Sequence, residues 1–202
     1  MKRRTIGIID YGAGNLSSVG RALHRLDQRC RISRDPQVLD ATDLLLLPGV
    51  GAFPAAMAKL REAGLDDYVQ AQARRGKPLV GICLGMQLLV DLSSEQRLTA
   101  GLGLIPGEVH AFAHAGWHIG WNTMEVRSDD PLFRASDGQS FYFNHSYAVR
   151  VPPEYQVGLS RADEPFVVAI RRGNIVGLQF HPEKSQGAGR QLLGSLIAGL
   201  TS

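Results

Sequence analysis

The chain has 202 residues, of which 44% are hydrophobic, and it carries a formal net charge of +3. That length predicts a single domain, spanning 1–202, with a sizeable core. Arginine and lysine occur in short scattered groups without interleaved aromatic residues, so nucleic-acid binding is not indicated. There is no apolar run long enough to span a bilayer, no secretory leader is evident, and only two cysteines are present. We therefore expect a cytoplasmic protein with reduced thiols.

Strand-like and helix-like segments alternate in the first half of the chain. A short apolar run rich in isoleucine predicts a buried strand at 4–10, and further short strands are predicted at 29–33, 43–47 and 78–82. Apolar residues at helical spacing predict a helix after Asn15 or Ser17, either of which is a suitable N-cap, and helices at 55–63 and 65–75. The strand at 78–82 runs directly into a helix that follows Cys83. This alternation indicates a parallel sheet with helices on both faces.

The second half of the chain consists mainly of consecutive strand-like segments. They lie at 107–112, 122–127, 140–150, 155–162, 166–172 and 175–180, with turn residues between several of them. One amphipathic helix is predicted at the end, at 189–200. The expected fold class is therefore α/β, a three-layer α/β/α domain with a mainly parallel sheet and an antiparallel extension in the second half.

Cys83 lies in the segment Gly81-Ile82-Cys83-Leu84-Gly85, where it is either a buried apolar thiol or a nucleophile. Glycines two residues before and two after it match the spacing of the nucleophile elbow, a sharp strand-to-helix turn whose backbones press together. A cysteine at the first turn of a helix meets unpaired N–H groups that favour a thiolate. The N–H of Leu84 is also placed to face an oxyanion. We therefore interpret Cys83 as a nucleophile.

A nucleophilic cysteine needs a base and a group that orients the base. His181 follows a strand-like run and has Glu183 two residues later, so in extended backbone the two side chains project to the same side. Pro182 is expected to hold this backbone out of a helix. Other histidines have weaker surroundings, among them His24 on the first helix and His110 and His114 in a polar loop region. Cys30 receives no role.

Two glycine-rich loops follow predicted strands. In "DYGAGNLS" the first two glycines match a dinucleotide-binding fingerprint, but Ser17 stands at the third glycine position, so the match is weak. Its glycines suit close approach to a partner instead. The loop "LLPGVGAF" follows the third strand, next to the strand that carries Cys83. Its Val50 and Gly51 amides are candidates for a second oxyanion donor.

The motifs "PGVG", "GICLGMQ" and "HPEKS", in that order, resemble those of class I (triad) glutamine amidotransferases. The segments "DYGAGNLSS", "GWN" and "YFNHSY" resemble more closely the glutaminase subunits of imidazole glycerol phosphate synthases. These motifs run from Asp10 to Ser185, so the resemblance covers nearly the whole chain. Any one motif is weak by itself, whereas the ordered set is specific.

The resemblance implies that the chain hydrolyses glutamine to glutamate and ammonia, without cofactor or metal. It assigns catalysis to Cys83, His181 and Glu183. It places the oxyanion hole at the backbone amides of Val50, Gly51 and Leu84. It implies that the amino-acid end of glutamine is bound by Gln87, Glu95, Ser146 and Tyr147. A carboxylate at position 95 suits an α-ammonium group. The alternative for Glu95 is a solvated residue at a helix end.

The resemblance also implies a partner, a (βα)₈-barrel cyclase subunit that receives the ammonia through a tunnel. Residues matching positions near that interface are Asn15, Trp121, Tyr142 and Lys184. The alternative for Trp121 and Tyr142 is an ordinary place in the core. The chain departs from the family pattern just before "GWN", where Ala115 and Trp117 replace a lysine and a proline. This departure leaves the triad unchanged and bears on docking.

Three other functions are compatible with parts of the sequence. The first is a paralogous glutaminase that feeds a different synthase, since nothing in this chain identifies the barrel subunit that it binds. A free-standing hydrolase of γ-glutamyl compounds would be fully active alone and would have no need of "DYGAGN" and "GWN". A catalytically silent scaffold would be expected to lack part of the triad, which is present here.

Overall fold

The computed structural model describes residues 2–112, 116–162 and 164–202. The helices are α1 (Leu16–His24), α2 (Pro36–Asp40), α3 (Phe53–Glu62), α4 (Leu65–Arg74), α5 (Leu84–Leu88) and α6 (Gln186–Leu200). The strands are β1 (Thr5–Ile9), β2 (Arg29–Ser33), β3 (Leu44–Gly49), β4 (Leu79–Cys83), β5 (Leu92–Ser93), β6 (Thr99–Ala100), β7 (Glu108–Ala111), β8 (His118–Thr123), β9 (Glu125–Val126), β10 (Ser140–His145), β11 (Tyr147–Arg150), β12 (Gln156–Arg161), β13 (Pro165–Arg172) and β14 (Ile175–Leu178).

The main sheet has a parallel centre and an antiparallel extension. Its parallel strands lie in the order β2-β1-β3-β4-β14. From β14 the sheet continues through β13, β11, β7, β5 and β6, and β12 pairs with β13 and β9. Strands β8 and β10 form a separate antiparallel ribbon. This arrangement confirms the expected α/β class with its mainly parallel sheet and antiparallel extension.

Helices cover both faces of the parallel strands, as the alternation of strands and helices predicted. Leu44 and Leu46 of β3 belong to a core that includes the buried faces of α1 and α6. Leu45 and Leu47 belong to a second core, which includes the buried faces of α3 and α4. A strand that buries both faces is apolar at every position, and β3 shows this in its run of four leucines.

Several predicted elements agree closely with the structure. Strand β2 has the predicted bounds, and α3 and α4 begin within two residues of the predicted positions. Asn15, rather than Ser17, is the N-cap of α1, since its side chain accepts a hydrogen bond from the Ser18 N–H. The last helix begins three residues before the predicted start, at Gln186. No helix in the described part of the chain is long and apolar enough to cross a membrane.

Two strand predictions are wrong in a way that matters for function. The segment 140–150, expected to be one strand, breaks at Ser146 into β10 and β11. The two halves pair with different partners, β10 with β8 and β11 with β7 and β13. The segment 122–127 likewise divides between β8 and β9. The break at Ser146 places that residue and Tyr147 where two sheets meet, beside the ends of the parallel strands.

Candidate active site

Cys83 lies at a strained turn between β4 and α5. Its φ of 56° and ψ of −114° are unusual for a residue with a side chain. A conformation of this kind costs about 1 to 3 kcal/mol and persists only where the surroundings impose it. Strand β4 enters from one side, and α5, five residues long, leaves on the other. The expected nucleophile elbow is therefore present.

The flanking glycines have the steric role that the spacing predicted. A Cβ added at Gly81 would lie 2.6 Å from the carbonyl oxygen of Gly85. A Cβ added at Gly85 would overlap the carbonyl oxygen of Leu47 on β3. Both obstacles are backbone atoms, which cannot rotate away as a flexible side chain can. The glycines allow α5 to pack directly against the strands, and this packing lifts Cys83 to the edge of the sheet.

His181 and Glu183 form a buried pair. The imidazole Nδ1 lies 2.8 Å from Glu183 Oε1, and the two side chains are 5% and 2% exposed. The backbone N–H of His181 donates to the carbonyl of Tyr142, and Ser185 Oγ donates to the carbonyl of His181. Because Nδ1 faces the carboxylate, Nε2 is the nitrogen available to Cys83.

The pKa of His181 fits a thiolate–imidazolium pair. Burial by itself lowers this pKa, but hydrogen bonds to Cys83 and Glu183, together with their negative charges, outweigh burial and raise it to about 9. At neutral pH the protonated imidazole is therefore favoured beside the Cys83 sulfur. A protonated partner of this kind is what holds a cysteine in its nucleophilic form.

The prediction that the backbone is extended from His181 to Glu183 is wrong. His181 itself is extended, but Pro182–Lys184 form a 3-10 turn, so Glu183 does not reach its partner along an extended chain. Pro182 begins this turn rather than preventing one, because proline is compatible with the first position of a helical turn. The pair forms nonetheless, over two residues.

A cleft of about 300 Å³ opens over Cys83 and His181. Every residue predicted for the oxyanion hole and for glutamine binding lines it: Val50, Gly51, Leu84, Gln87, Glu95, Ser146 and Tyr147. The cleft lies at the carboxyl ends of β3 and β4, where Gly49 pairs with Cys83. This is the expected place for a ligand in an open parallel sheet. The assignment of individual roles within the cleft stays a prediction.

Glu95 is a fixed, buried carboxylate rather than a solvated residue. It is 8% exposed and follows β5 instead of standing at a helix end, so the alternative interpretation is wrong. Its Oε2 accepts a hydrogen bond of 2.8 Å from the Phe53 N–H at the start of α3. Gln87 is also fixed, because its Nε2 donates to the carbonyl of Tyr147 and to Gln179 Oε1.

Three of the four residues predicted at the partner interface form one cluster. Trp121 and Tyr142 are directly opposite in the β8–β10 ribbon, and their rings meet edge to face at 6.1 Å. Lys184 Nζ lies 5.6 Å from the centre of the Tyr142 ring. Trp121 is 51% exposed, so it does not belong to the core. The fourth residue, Asn15, caps α1.

Of the two departures from the family pattern, one can be located. Trp117 lines the cleft and is 61% exposed, and its Nε1–H donates to Asn144 Oδ1 at 3.3 Å. The other departure, Ala115, lies outside the described residues, as does His114.

The structure adds residues near Cys83 that the sequence interpretation did not single out. The carbonyl oxygen of Asn144 lies 3.7 Å from the Cys83 sulfur, and Gln179 Nε2 lies 3.9 Å from it. His145 lines the same cleft. One signal was available for Gln179: it is a polar residue inside an otherwise apolar strand-like run, two positions before His181. Asn144 and His145 lie within the motif "YFNHSY", but nothing local distinguished them.

The elbow cysteine and the buried histidine–glutamate pair lie together at the carboxyl ends of the parallel strands. The family model described as "Glutamine amidotransferase class-I" matches residues 7–195. The chain therefore belongs to the class-I glutamine amidotransferase family.

Curated relatives of this chain share a more specific name. A protein from Moorella thermoacetica, named imidazole glycerol phosphate synthase subunit HisH, is 47% identical over 196 residues, or 94% of this chain and 92% of that protein. A protein of the same name from Streptococcus gordonii is 46% identical over 190 residues, or 92% of each. The chain is thus similar to these subunits along nearly its whole length.

Solved structures agree on the fold. One, titled as a crystal structure of glutamine amidotransferase, matches with a TM-score of 0.75 at 20% identity, covering 96% of this chain and 98% of that one. Another, from PurLQS of Thermotoga maritima, matches with a TM-score of 0.78 at 19% identity, covering 98% and 100%. At such identities the likeness concerns the fold alone.

Proposed function

We propose that this chain is the glutaminase subunit of an imidazole glycerol phosphate synthase of histidine biosynthesis. The observation that carries the proposal is Cys83 on its strained elbow, facing the buried His181–Glu183 pair. The similarity to HisH subunits, at 46% to 47% identity over most of the chain, supports the choice of synthase. The proposal treats residues 1–202 as one amidotransferase domain in a reducing compartment such as the cytoplasm, because Cys83 must stay a free thiol.

The first half of the reaction makes a thioester. The Cys83 thiolate attacks the side-chain amide carbon of glutamine, and the carbonyl electrons move onto the oxygen. Backbone N–H groups of Leu84 and of the Val50–Gly51 loop stabilise this oxyanion. His181, protonated at Nε2, gives its proton to the amide nitrogen, so that the C–N bond breaks and ammonia leaves. A γ-glutamyl thioester on Cys83 remains.

The second half of the reaction restores the enzyme. His181, now neutral, takes a proton from water, whose oxygen attacks the thioester carbon. The second tetrahedral intermediate collapses, and the C–S bond breaks to release glutamate and the thiolate. Glu183 keeps the imidazole oriented throughout, since Nδ1 stays hydrogen-bonded to Oε1. No cofactor or metal takes part in these steps.

The ammonia must reach a second active site before it is lost to bulk water. We assign that site to a (βα)₈-barrel cyclase subunit, which docks on the face formed by Trp121, Tyr142 and Lys184. This face borders the active cleft, because Lys184 lines the cleft and the Tyr142 ring lies 6.5 Å from the His181 ring. Exposed aromatic residues beside a cleft suit a protein partner that covers the cleft.

The test is glutamate release from glutamine, measured for this protein alone and then with purified cyclase subunit and its nucleotide ligand. We expect a low rate alone and a strong increase in the complex. A protein that is fully active alone and indifferent to the cyclase would be a free-standing hydrolase, and the partner assignment would be wrong. The same assay with a synthase subunit from another pathway is the control. Stronger activation by that subunit would indicate a paralogous glutaminase.

A further inference from the structure

A row of hydrogen bonds runs from β8 to the break between β10 and β11. It ends beside the cleft over Cys83 and His181, called the glutamine cleft below because we propose that glutamine binds there. Asn122 Nδ2 lies 3.3 Å from His118 Nε2, and His118 Nδ1 lies 2.9 Å from His145 Nε2. His145 Nδ1 lies 2.9 Å from the carbonyl oxygen of Tyr147. The two histidines are cross-strand neighbours in the β8–β10 ribbon. The mechanism described above uses neither of them.

The direction of every hydrogen bond in this row follows from its last member. The Tyr147 carbonyl can only accept, so His145 Nδ1 carries a hydrogen. In a neutral ring Nε2 then accepts, and its donor is the Nδ1–H of His118. His118 Nε2 accepts in turn from the amide of Asn122, which also donates to the carbonyl of Arg161 at 2.8 Å. Both rings are consistent with one neutral tautomer each.

The surroundings favour these neutral forms. Phe112, Phe143 and Phe166 pack around the two imidazoles, with ring centres 4.8 to 5.8 Å away. Burial lowers the pKa of His118. Burial, together with the neighbouring charges of His118 and His181, lowers the pKa of His145 to about 4, although the hydrogen bond to the Tyr147 carbonyl acts in the opposite direction. At neutral pH the row therefore persists without charge.

The row ends on groups that line the glutamine cleft. The Tyr147 carbonyl accepts a second hydrogen bond, of 2.9 Å, from Gln87 Nε2. The side chains of His145 and Gln87 thus both donate to the carbonyl of Tyr147, the residue directly after the break at Ser146. Gln87 and Tyr147, which are fixed in this way, are two of the four residues proposed to hold the amino-acid end of glutamine. A third, Ser146, lies between His145 and Tyr147 in the chain.

We propose that His118 and His145 are positioning residues that hold the glutamine-binding residues in place and act on glutamine binding rather than on the reactivity of Cys83. This inference rests on the proposed glutaminase function. It assigns a role to the inward face of β8, whose outward residues Ile119 and Trp121 are exposed. His118 and His145 act by fixing the Tyr147 carbonyl and, through it, the side-chain amide of Gln87. They do not contact the scissile bond of glutamine.

The test compares two reagents that react with Cys83. A diazoketone analogue of glutamine must first occupy the glutamine site, whereas iodoacetamide needs only the reactive sulfur. His118→Phe keeps an aromatic ring but removes the donor to His145. His118→Asn keeps an N–H near the position of Nδ1. His24→Phe, on the exposed face of α1, is the matched control.

We expect His118→Phe to slow inactivation by the glutamine analogue about tenfold, because a buried acceptor loses its partner. Inactivation by iodoacetamide should change less than about twofold, KM for glutamine should rise about tenfold, and kcat should change little. His118→Asn should recover most of the loss, and His24→Phe should behave as wild type. Asn122→Ala, at a partly exposed position, should show a smaller effect in the same direction.

Equal inactivation of His118→Phe and wild type by the analogue would overturn the proposal. So would a parallel loss of reactivity toward both reagents, since it would place the effect on Cys83 or on the fold. If His118→Phe does not fold, the same comparison applies to Asn122→Ala. A wild-type protein that reacts with iodoacetamide but not with the analogue would overturn the glutaminase function, and this inference with it.

Discussion

Replacing Glu183 with glutamine measures what the third member of the proposed triad contributes. The variant keeps the shape of the side chain and an acceptor oxygen but loses the charge. A hydrogen bond between charged groups stabilises by about 1.5 to 3 kcal/mol, against about 0.5 to 1.5 kcal/mol for a neutral one. The difference, about 1 to 2 kcal/mol, applies nearly in full here because the two side chains are 5% and 2% exposed.

That difference has two measurable consequences. It lowers the pKa of His181 from its raised value of about 9, because the protonated ring loses its counter-charge. It also lowers kcat for glutamate release roughly 5- to 30-fold, with KM unchanged, because Glu183 does not line the glutamine cleft. Since the proposed mechanism needs a protonated His181 to expel ammonia, the alkaline limit of kcat should move to lower pH together with the pKa of His181.

Two measurements are needed. The first is the pH dependence of kcat for the protein in its complex with the cyclase subunit, and the second is an NMR titration of the His181 ring. Glu125→Gln is the matched control, because Glu125 pairs with Arg127 at the surface and its side chain is 68% exposed. The reasoning would be refuted if His181 in Glu183→Gln still titrated near 9 with an unchanged kcat. A change in KM alone would refute it equally.

Three further predictions concern packing, binding and pH. Gly85→Ala should lower the free energy of unfolding by about 3 kcal/mol in urea titrations, because its Cβ overlaps the Leu47 carbonyl; unchanged stability would contradict the close packing of the elbow. Glu95→Gln should raise KM for glutamine about tenfold or more with a similar kcat. An unchanged KM would mean that Glu95 has only a structural role. The pKa of His181 is raised from 6.5 to about 9, so its contribution to stability is complete below about pH 6.5 and is lost as the pH rises through 9. His181→Gln should therefore show a smaller decline in unfolding free energy over that range, and an identical decline would exclude the pair as its source.

The parallel half of the fold could be predicted because buried parallel strands are marked by local composition. The leucine run of β3 predicted a strand, and β3 is buried at every position. Helix α2 was missed because its five residues are too few to show periodicity, although Asp35 and Pro36 form a regular N-terminal cap. Local signals of this kind need a minimum length.

The antiparallel half was predicted less well because strand pairing is a long-range choice. The buried residues Phe141, Phe143 and His145 alternate up to the end of β10, and nothing in that pattern announces the break at Ser146. The break exists because β10 pairs with β8 while β11 joins the main sheet. It places Ser146 and Tyr147 in the wall of the cleft that also holds Cys83.

The same distinction applies to the site. The elbow glycines and the short segment from His181 to Glu183 are local motifs, so the sharp turn at Cys83 and the pairing of His181 with Glu183 could be predicted from the sequence. The contact between His118 and His145 spans 27 residues and depends on the β8–β10 register, so no local pattern indicated it. The same holds for the Glu95 carboxylate and the Phe53 N–H, which are separated by 42 residues.

The most direct test of the central claim is to look for the thioester on Cys83. Wild-type protein in complex with cyclase subunit would be mixed with glutamine, quenched in acid during turnover and digested for mass spectrometry. We predict that the peptide containing Cys83 gains the mass of one γ-glutamyl group, and that Cys83→Ala shows neither this adduct nor glutamate release. Glutamate release by Cys83→Ala, or turnover with the adduct on another residue, would contradict the assignment of Cys83 as the nucleophile.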